Sequence, residues 1–209
     1  MTTDKNELKR IPLGSGKIYV APFDADNQNL IKTDIPGLIK AIVKEENMLG
    51  KVSGGASLEY KPTFKTYEDD LGTVSRTIMT EDEATLKGGV CTWNGNTLKR
   101  LCSTARVSED TENNLRIVKL GGVGNYDGKL WVIIFVNDDK DYGKSYLAIV
   151  GNNQKGITIG FEKDKETVID PEFSAQACDD EGTKVIYVEK LDYAKDTFDD
   201  STTTTEPGV

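Results

Sequence analysis

The chain is expected to be mainly β: an antiparallel sandwich or small barrel with one or two short helices and a long β-hairpin. Three observations carry that expectation. In Ala56, Leu58, Tyr60, Pro62 and Phe64 apolar side chains alternate with Ser57, Glu59, Lys61, Thr63 and Lys65, the period of two that a strand imposes on its faces. After residue 115, short apolar runs recur between the turn-rich breaks GGVGNYDG, NDDKDYG, GNNQKG and CDDEG, and consecutive strands on short turns pair antiparallel. Helical periodicity is confined to two brief segments.

Residues 1–16, punctuated by Pro12, Gly14 and Gly16, read as an arm. Lys17–Phe23 reads as a strand, with Ile18 and Val20 on one face, and Asp24–Asn29 as a polar turn. From Asp34, Ile35, Leu38, Ile39 and Ile42 recur at i, i+3, i+4 and i+7, one face of a helix. Asp34 suits its N-cap and Pro36 its first turn, and the helix frays through Lys44–Asn47. The hairpin follows over 49–80, turning at Tyr67–Gly72 and returning through Thr73–Thr80 with Val74 and Ile78 on one face. Pro62 lacks an N–H and belongs at a bulge or an unpaired edge. A further strand spans Ala84–Trp93. Asn94 then caps a helix to about Ser103, with Leu98, Leu101 and Cys102 sharing a face.

Strands are expected at Leu115–Leu120, Leu130–Val136, Ser145–Val150, Ile157–Glu162, Thr167–Ala177 and Lys184–Lys190. WVIIFV is apolar on both faces and belongs at the centre of the core. The low-complexity stretch 195–209 reads as a tail, leaving 17–194 as the β domain.

Composition removes several function classes. Lys and Arg number 26 against 35 acidic residues, a balance opposed to direct nucleic-acid binding, which relies on clustered cations. It suits a surface past which nucleic acid slides, or simply solubility. No run of about 18 apolar residues marks a membrane span, and MTTDKNELKR lacks the apolar stretch of a signal peptide. Cys91, Cys102 and Cys178 have no metal-ligand spacing and are expected as small buried hydrophobes in a reducing compartment. The chain has no histidine, which removes the usual general base and the Ser–His and Cys–His pairs. No catalytic residue, metal site or cofactor is expected.

Local motifs add little. Gly14-Ser15-Gly16-Lys17 lacks the earlier Gly and the following Ser/Thr of a phosphate loop, where Ile11 and Ile18 stand. Gly121-Gly122-Val123-Gly124 leads into a strand, not a helix N-terminus that holds a pyrophosphate, and reads as a hairpin loop. Asp138, Asp139 and Asp141, and Asp179 and Asp180, lack EF-hand spacing and read as acidic turns. Trp93 and Trp131 read as core anchors.

An isolated two-stranded ribbon is marginal in water, so the hairpin has two ways to be stabilised. It folds back on its own domain, or it pairs with hairpins of other copies around a ring, which satisfies its edges.

The run LGKVSGGASLEYKPTF…EDDLGTVSRTIMTEDEATLKGGVCTWNGNTLKRLC, with DGKLWVIIF and ETVIDPEFSAQ after it, resembles the tail tube (major tail) proteins of long-tailed phages of Gram-positive bacteria. The resemblance covers most of 48–190. It implies hexameric rings of β-sandwich or barrel subunits whose hairpins form an inner barrel, stacked head to tail through arms and a loop. The chain's partners would then be itself, the tape-measure protein and double-stranded DNA passing through the lumen without specific binding, and the tail terminator and distal tail proteins. It would be assembled in the host bacterial cytoplasm and reside in the virion tail. The tube of a contractile phage-like particle would share the fold, and a monomeric β-sandwich binding module is the alternative from another class.

On this reading Glu59, Lys61, Thr63, Lys65, Thr73, Ser75 and Thr77 line the lumen. Leu58, Tyr60, Phe64, Val74 and Ile78 form the hairpin's packing face. The sequence departs from the family's acidic lumen, mixing Glu59, Glu68, Asp69 and Asp70 with Lys61, Lys65 and Arg76.

Overall fold

The computed structural model describes residues 15–139, 143–161, 163–164 and 166–190. The expected arm up to Gly14, the tail 195–209, Asp141 and Glu162 lie outside these. The chain begins with strand β1 (Gly16–Pro22) and the helices α1 (Ala25–Thr33) and α2 (Ile35–Ile42). Two long strands follow, β2 (Met48–Glu68) and β3 (Ser75–Val90), then helix α3 (Gly95–Leu101). Next are β4 (Arg106–Asp110), β5 (Leu115–Lys119), β6 (Trp131–Asp139), β7 (Gly143–Asn153), β8 (Glu172–Gln176) and β9 (Ile186–Glu189).

All strand pairs are antiparallel. The main sheet runs β6-β1-β2-β3-β8-β7-β9, and β6 also pairs with β7. β4 and β5 form a separate two-stranded sheet. The domain is therefore a mainly antiparallel β-sheet structure with a few short helices.

Period-two alternation on β1 and β6 buries both of their faces. Ile18, Val20, Ile133 and Phe135 join Leu49, Val52, Leu86, Val90, Ile149 and Phe173 in one core, covered by Leu98 and Leu101 of α3. Tyr19, Ala21, Val132, Ile134 and Val136 face the opposite way, against Ile31 of α1 and Leu38, Ile39 and Ile42 of α2. β6 thus occupies the centre, as the two-faced WVIIFV run implies. Fully burying one such aliphatic side chain is worth about 1.5–3 kcal/mol. Trp93 and Trp131 are half-buried against the first core, and Trp93 donates Nε1–H to the Thr167 carbonyl.

The capped helices form where expected. Asp34 accepts from the Gly37 N–H at 2.9 Å, and Asn94 makes a reciprocal capping box with Thr97. Other expectations are corrected. Asp24–Asn29 is not a turn but the cap and first turns of α1: Asp24 accepts from Asn27 N–H, and Ile31 anchors the helix. Lys44–Asn47 tightens into a 3-10 turn over Glu45–Asn47. The return strand and the strand at Ala84–Trp93 are one strand, β3. Residues 157–161 form no strand, and 167–177 contributes only β8 and a bridge between Ile169 and Val90. The Gly121–Gly124 segment is not a hairpin loop, because β5 and β6 do not pair; it carries the chain from the small sheet to the large one. Strand β4, with polar Ser108, Glu109 and Asp110, offers little apolar alternation and was not anticipated.

Of the cysteines, Cys178 is buried whereas Cys91 and Cys102 are half-buried. Burial, aided by Asp179, pushes the Cys178 thiol up to about 11. Two outcomes follow. Ile134, fully buried, should cost about 2–5 kcal/mol of stability as Ile134→Ala, read in urea titrations; a wild-type midpoint would show that the second core is not cooperative with the rest. Cys178 should alkylate with iodoacetamide at pH 8 far more slowly in the folded protein than in urea, because little thiolate forms. Equal rates in the two conditions would contradict its burial.

Candidate functional site

Strands β2 and β3 build the feature that most distinguishes the molecule. Their lower halves belong to the main sheet. β2 pairs with β1 through Met48–Lys51, and β3 pairs with β8 through Thr85–Lys87. Beyond Tyr60 no third strand among the described residues flanks the pair, which continues for roughly 30 Å at about 3.3 Å per residue. Every residue from Glu59 to Thr77 is exposed. The hairpin therefore does not lie back on its own domain; it projects from it with two open faces and two open edges.

Two bulges set its course. At the base, Gly54 and Gly55 adopt φ of +77° and +88°, and the register shifts between Ser53 and Ala56. The left-handed backbone at both positions needs glycine. Opposite them, a Cβ on Gly89 would come within 2.8 Å of the Ser53 carbonyl and of an Asp170 carboxylate oxygen, so the strands meet there without a side chain between. Higher up, Thr63 pairs with Glu81 but Phe64 pairs with Met79, leaving Thr80 as the extra residue. Thr80 donates its hydroxyl to the Thr63 carbonyl. Pro62 lies beside this bulge, on the part of β2 that has no second neighbour.

Directly paired residues share a face, so the upper bulge decides what each face carries. Leu58, Tyr60, Pro62 and Phe64 lie on one side, joined across the ladder by Leu86, Ala84, Asp82 and Met79. Tyr60, Phe64 and Met79 are 50%, 59% and 54% exposed, an apolar stripe open to solvent. Glu59, Lys61, Thr63 and Lys65 lie on the other side, with Glu83 and Glu81 opposite Lys61 and Thr63.

Above the bulge the expected assignments of the return strand are exchanged. Ser75 and Thr77 pair with Glu68 and Thr66 on the Phe64 side, the Thr66 and Thr77 hydroxyls 2.9 Å apart. Ile78 pairs with Lys65, and Arg76 with Tyr67, on the charged side. Thr73 and Val74 are not strand residues. They belong to the tip, where Asp69 accepts from the Thr73 hydroxyl at 2.6 Å and the Val74 N–H at 2.8 Å. Met79 went unanticipated; the adjacent apolar pair Ile78-Met79, a break in strict alternation, was its signal.

The charged face is internally matched. Glu59 pairs with Lys61 at 2.8 Å, and the Lys65 ammonium sits 5.0 Å from the Tyr67 ring centroid. Glu59, Glu81 and Glu83 balance Lys61, Lys65 and Arg76. Where the hairpin leaves the domain, polar contacts brace it. Lys184 pairs with Asp82 at 2.7 Å and also donates to its carbonyl, and the Tyr60 hydroxyl donates to the Asp82 carboxylate. Glu172 bridges Lys87 at 3.3 Å and Lys155 at 3.1 Å. The Lys184 hydrogen bond holds the Asp82 carboxyl below its ordinary value, and Lys155 with Lys87 does the same to Glu172.

Elsewhere little chemistry assembles. An open cleft of about 420 Å³ beside the hairpin base is lined by Lys155, Ile157, Glu166, Val168 and Asp170, and the Ser53 hydroxyl donates to Glu166. Asp179 accepts from the Glu181 and Thr183 N–H groups, and Asp180 pairs with Lys32. These contacts make the CDDEG segment a self-capped turn. Among the described residues no group of three His, Cys, Asp or Glu side chains is placed to hold a metal, and no helix is long and apolar enough to cross a membrane. No family model and no curated protein matches the chain.

The brace has a pH signature. Both carboxyls are depressed in the folded protein, so their stabilising contribution is present at neutral pH and is lost as pH falls through those depressed values. Acidification below the ordinary carboxylate range should broaden the amide NMR signals of residues 75–84 before those of β6. Lys184→Gln should produce the same local broadening at neutral pH. Spectra indifferent to both changes would remove the brace.

Proposed function

We propose that the protein is the structural subunit of a phage tail tube, self-assembling into stacked, hexameric rings that form a hollow conduit for DNA delivery. The observation that carries this reading is the projecting hairpin. Its upper half has backbone donors and acceptors on two open edges, an apolar stripe on one face and matched charges on the other. A two-stranded ribbon is marginal alone, and long open edges are an invitation to pair with another chain. Sister hairpins supply both missing edges when they close a ring. The pairing of β6 with β7 beside the β6-β1-β2-β3-β8-β7 order favours a barrel-like body for the subunit.

In such a tube the charged face of Glu59, Lys61 and Lys65 lies toward the lumen, and the stripe of Tyr60, Phe64 and Met79 packs outward against the ring. Double-stranded DNA and the tape-measure protein pass along the lumen without specific binding. The tail terminator and distal tail proteins meet the two ends. Rings stacked head to tail use a heterologous contact, which propagates as a filament instead of closing. On this reading the protein resides in the virion tail, after assembly in the host bacterial cytoplasm.

Negative-stain microscopy of the purified protein at high concentration should show hollow tubes. Deleting Lys61–Arg76 should abolish them while the circular dichroism of the remaining β domain stays native. Filaments formed by the deletion variant would refute the hairpin's role, and a wild-type protein that stays monomeric at all concentrations would refute the tube.

A further inference from the structure

Two exposed apolar patches outside the hairpin stripe have opposite electrostatic surroundings. The first is the hairpin tip. Leu71 and Val74 are 84% and 68% exposed and are flanked by the exposed carboxylates of Glu68 and Asp70. Asp69 is spent inside the turn, accepting from Thr73 and Val74, and this holds the tip in one shape.

The second patch is the outer face of the β4–β5 sheet. The inner face rests on α3: Val118 packs against the first core, and a Cβ on Gly95 would meet Arg116 and Val118 within 3 Å. Leu115 and Ile117 therefore point outward, exposed, with Leu120 just beyond the strand. Arg106 and Lys119, paired with each other across the ladder, put two cations at the same end of that face. Arg106 also donates to the Gly121 carbonyl, which keeps it beside Leu120. The one acid on this face, Asp110, is tied to its own turn through the Asn113 N–H and side-chain amide.

We infer that the acidic, apolar hairpin tip of one copy docks on the basic, apolar outer face of β4–β5 in another copy. Among the described residues nothing covers the tip: every residue from Glu68 to Val74 is exposed. Complementary charge with apolar contact at the centre is what a specific contact between chains requires. The two surfaces are different patches of one molecule, so the contact is heterologous and propagates from copy to copy. It joins copies whether or not their polymer is hollow, and so goes beyond the tube reading.

Charge exchange tests it. One variant carries Glu68→Lys and Asp70→Lys; the other carries Arg106→Glu and Lys119→Glu. Each alone brings like charges together and should associate several-fold more weakly than wild type by sedimentation velocity. Mixed in equal amounts they should associate again, since each tip then meets an opposite face, and salt should weaken the restored contact. Leu71→Ser, at a side chain that is 84% exposed, should weaken association without charge reversal and guards against misfolding of the β4–β5 variant. Wild-type association by both charge variants, or a mixture of native-like variants that stays dissociated, would overturn the docking. So would a loss confined to the Arg106/Lys119 variant and reproduced by truncation after Lys190, which would assign the face to the acidic segment 191–209. Normal tubes from both variants would sink the docking and leave the tube standing. A restored mixture without hollow particles would do the reverse.

Discussion

Among the described residues the ladder between β2 and β3 is the hairpin's sole backbone support beyond Tyr60, and the rest of the molecule is organised around tolerating that. Inside the domain each strand has a neighbour on both sides or a core against its face. In the upper hairpin neither holds. What keeps the ribbon extended is its own cross-strand register, the turn closed by Asp69, and the brace of Lys184, Asp82 and Tyr60 at the point of departure. Lys184 and Asp82 are half-buried, still open enough to solvent that a single ion pair contributes little by itself. Their value here is directional, since they link the first unsupported residues to a segment adjoining β9. The doubly buried strands β1 and β6 supply the rigid platform from which a thin ribbon can project.

The bulges explain how one continuous pair of strands serves two purposes. The glycines at 54 and 55 release β2 from the curvature of the main sheet, while Gly89 lets the strands approach closely at that level. The extra residue Thr80 then re-phases β3. Without it, Ile78 would fall on the Phe64 side and Ser75 and Thr77 on the Lys65 side. With it, the return strand delivers Met79 to the apolar stripe and Arg76 to the charged face. A single inserted residue thus matches the chemistry of the two strands face by face, because a shift of one residue moves a side chain to the opposite face.

Much of the fold was legible where one period dominated. The alternation of Leu58, Tyr60 and Phe64, the two-faced run WVIIFV, the i, i+3, i+4, i+7 spacing from Ile35 and the caps at Asp34 and Asn94 all appear in the structure as read. The misreadings have common physical causes. Asp24–Asn29 looked like a turn because its polar residues are those that also open helices, and the anchoring Ile31 lies a full turn later. β4 carries mostly polar residues and owes its pairing to β5. The phase change at Thr80 leaves a two-residue trace, Ile78-Met79, that alternation alone treats as noise. The site's outline was therefore legible in the outbound strand and scrambled in the return strand, where a bulge rather than composition decides which way side chains point.

The balance of charge on the hairpin bears on what such a surface can do. The chain as a whole carries a formal net charge of −9, yet Glu59, Glu81 and Glu83 on the charged face are offset by Lys61, Lys65 and Arg76. Neighbouring opposite charges cancel one another's field within a few ångströms, and salt screens the remainder. A polyanion passing such a face meets neither a row of cations to release its counterions against nor a uniformly repelling wall. In the proposed tube, smooth passage would then come from local pairing of fixed charges, and unpaired acidity would act elsewhere, at the tip, where it meets the basic face of β4–β5 in another copy.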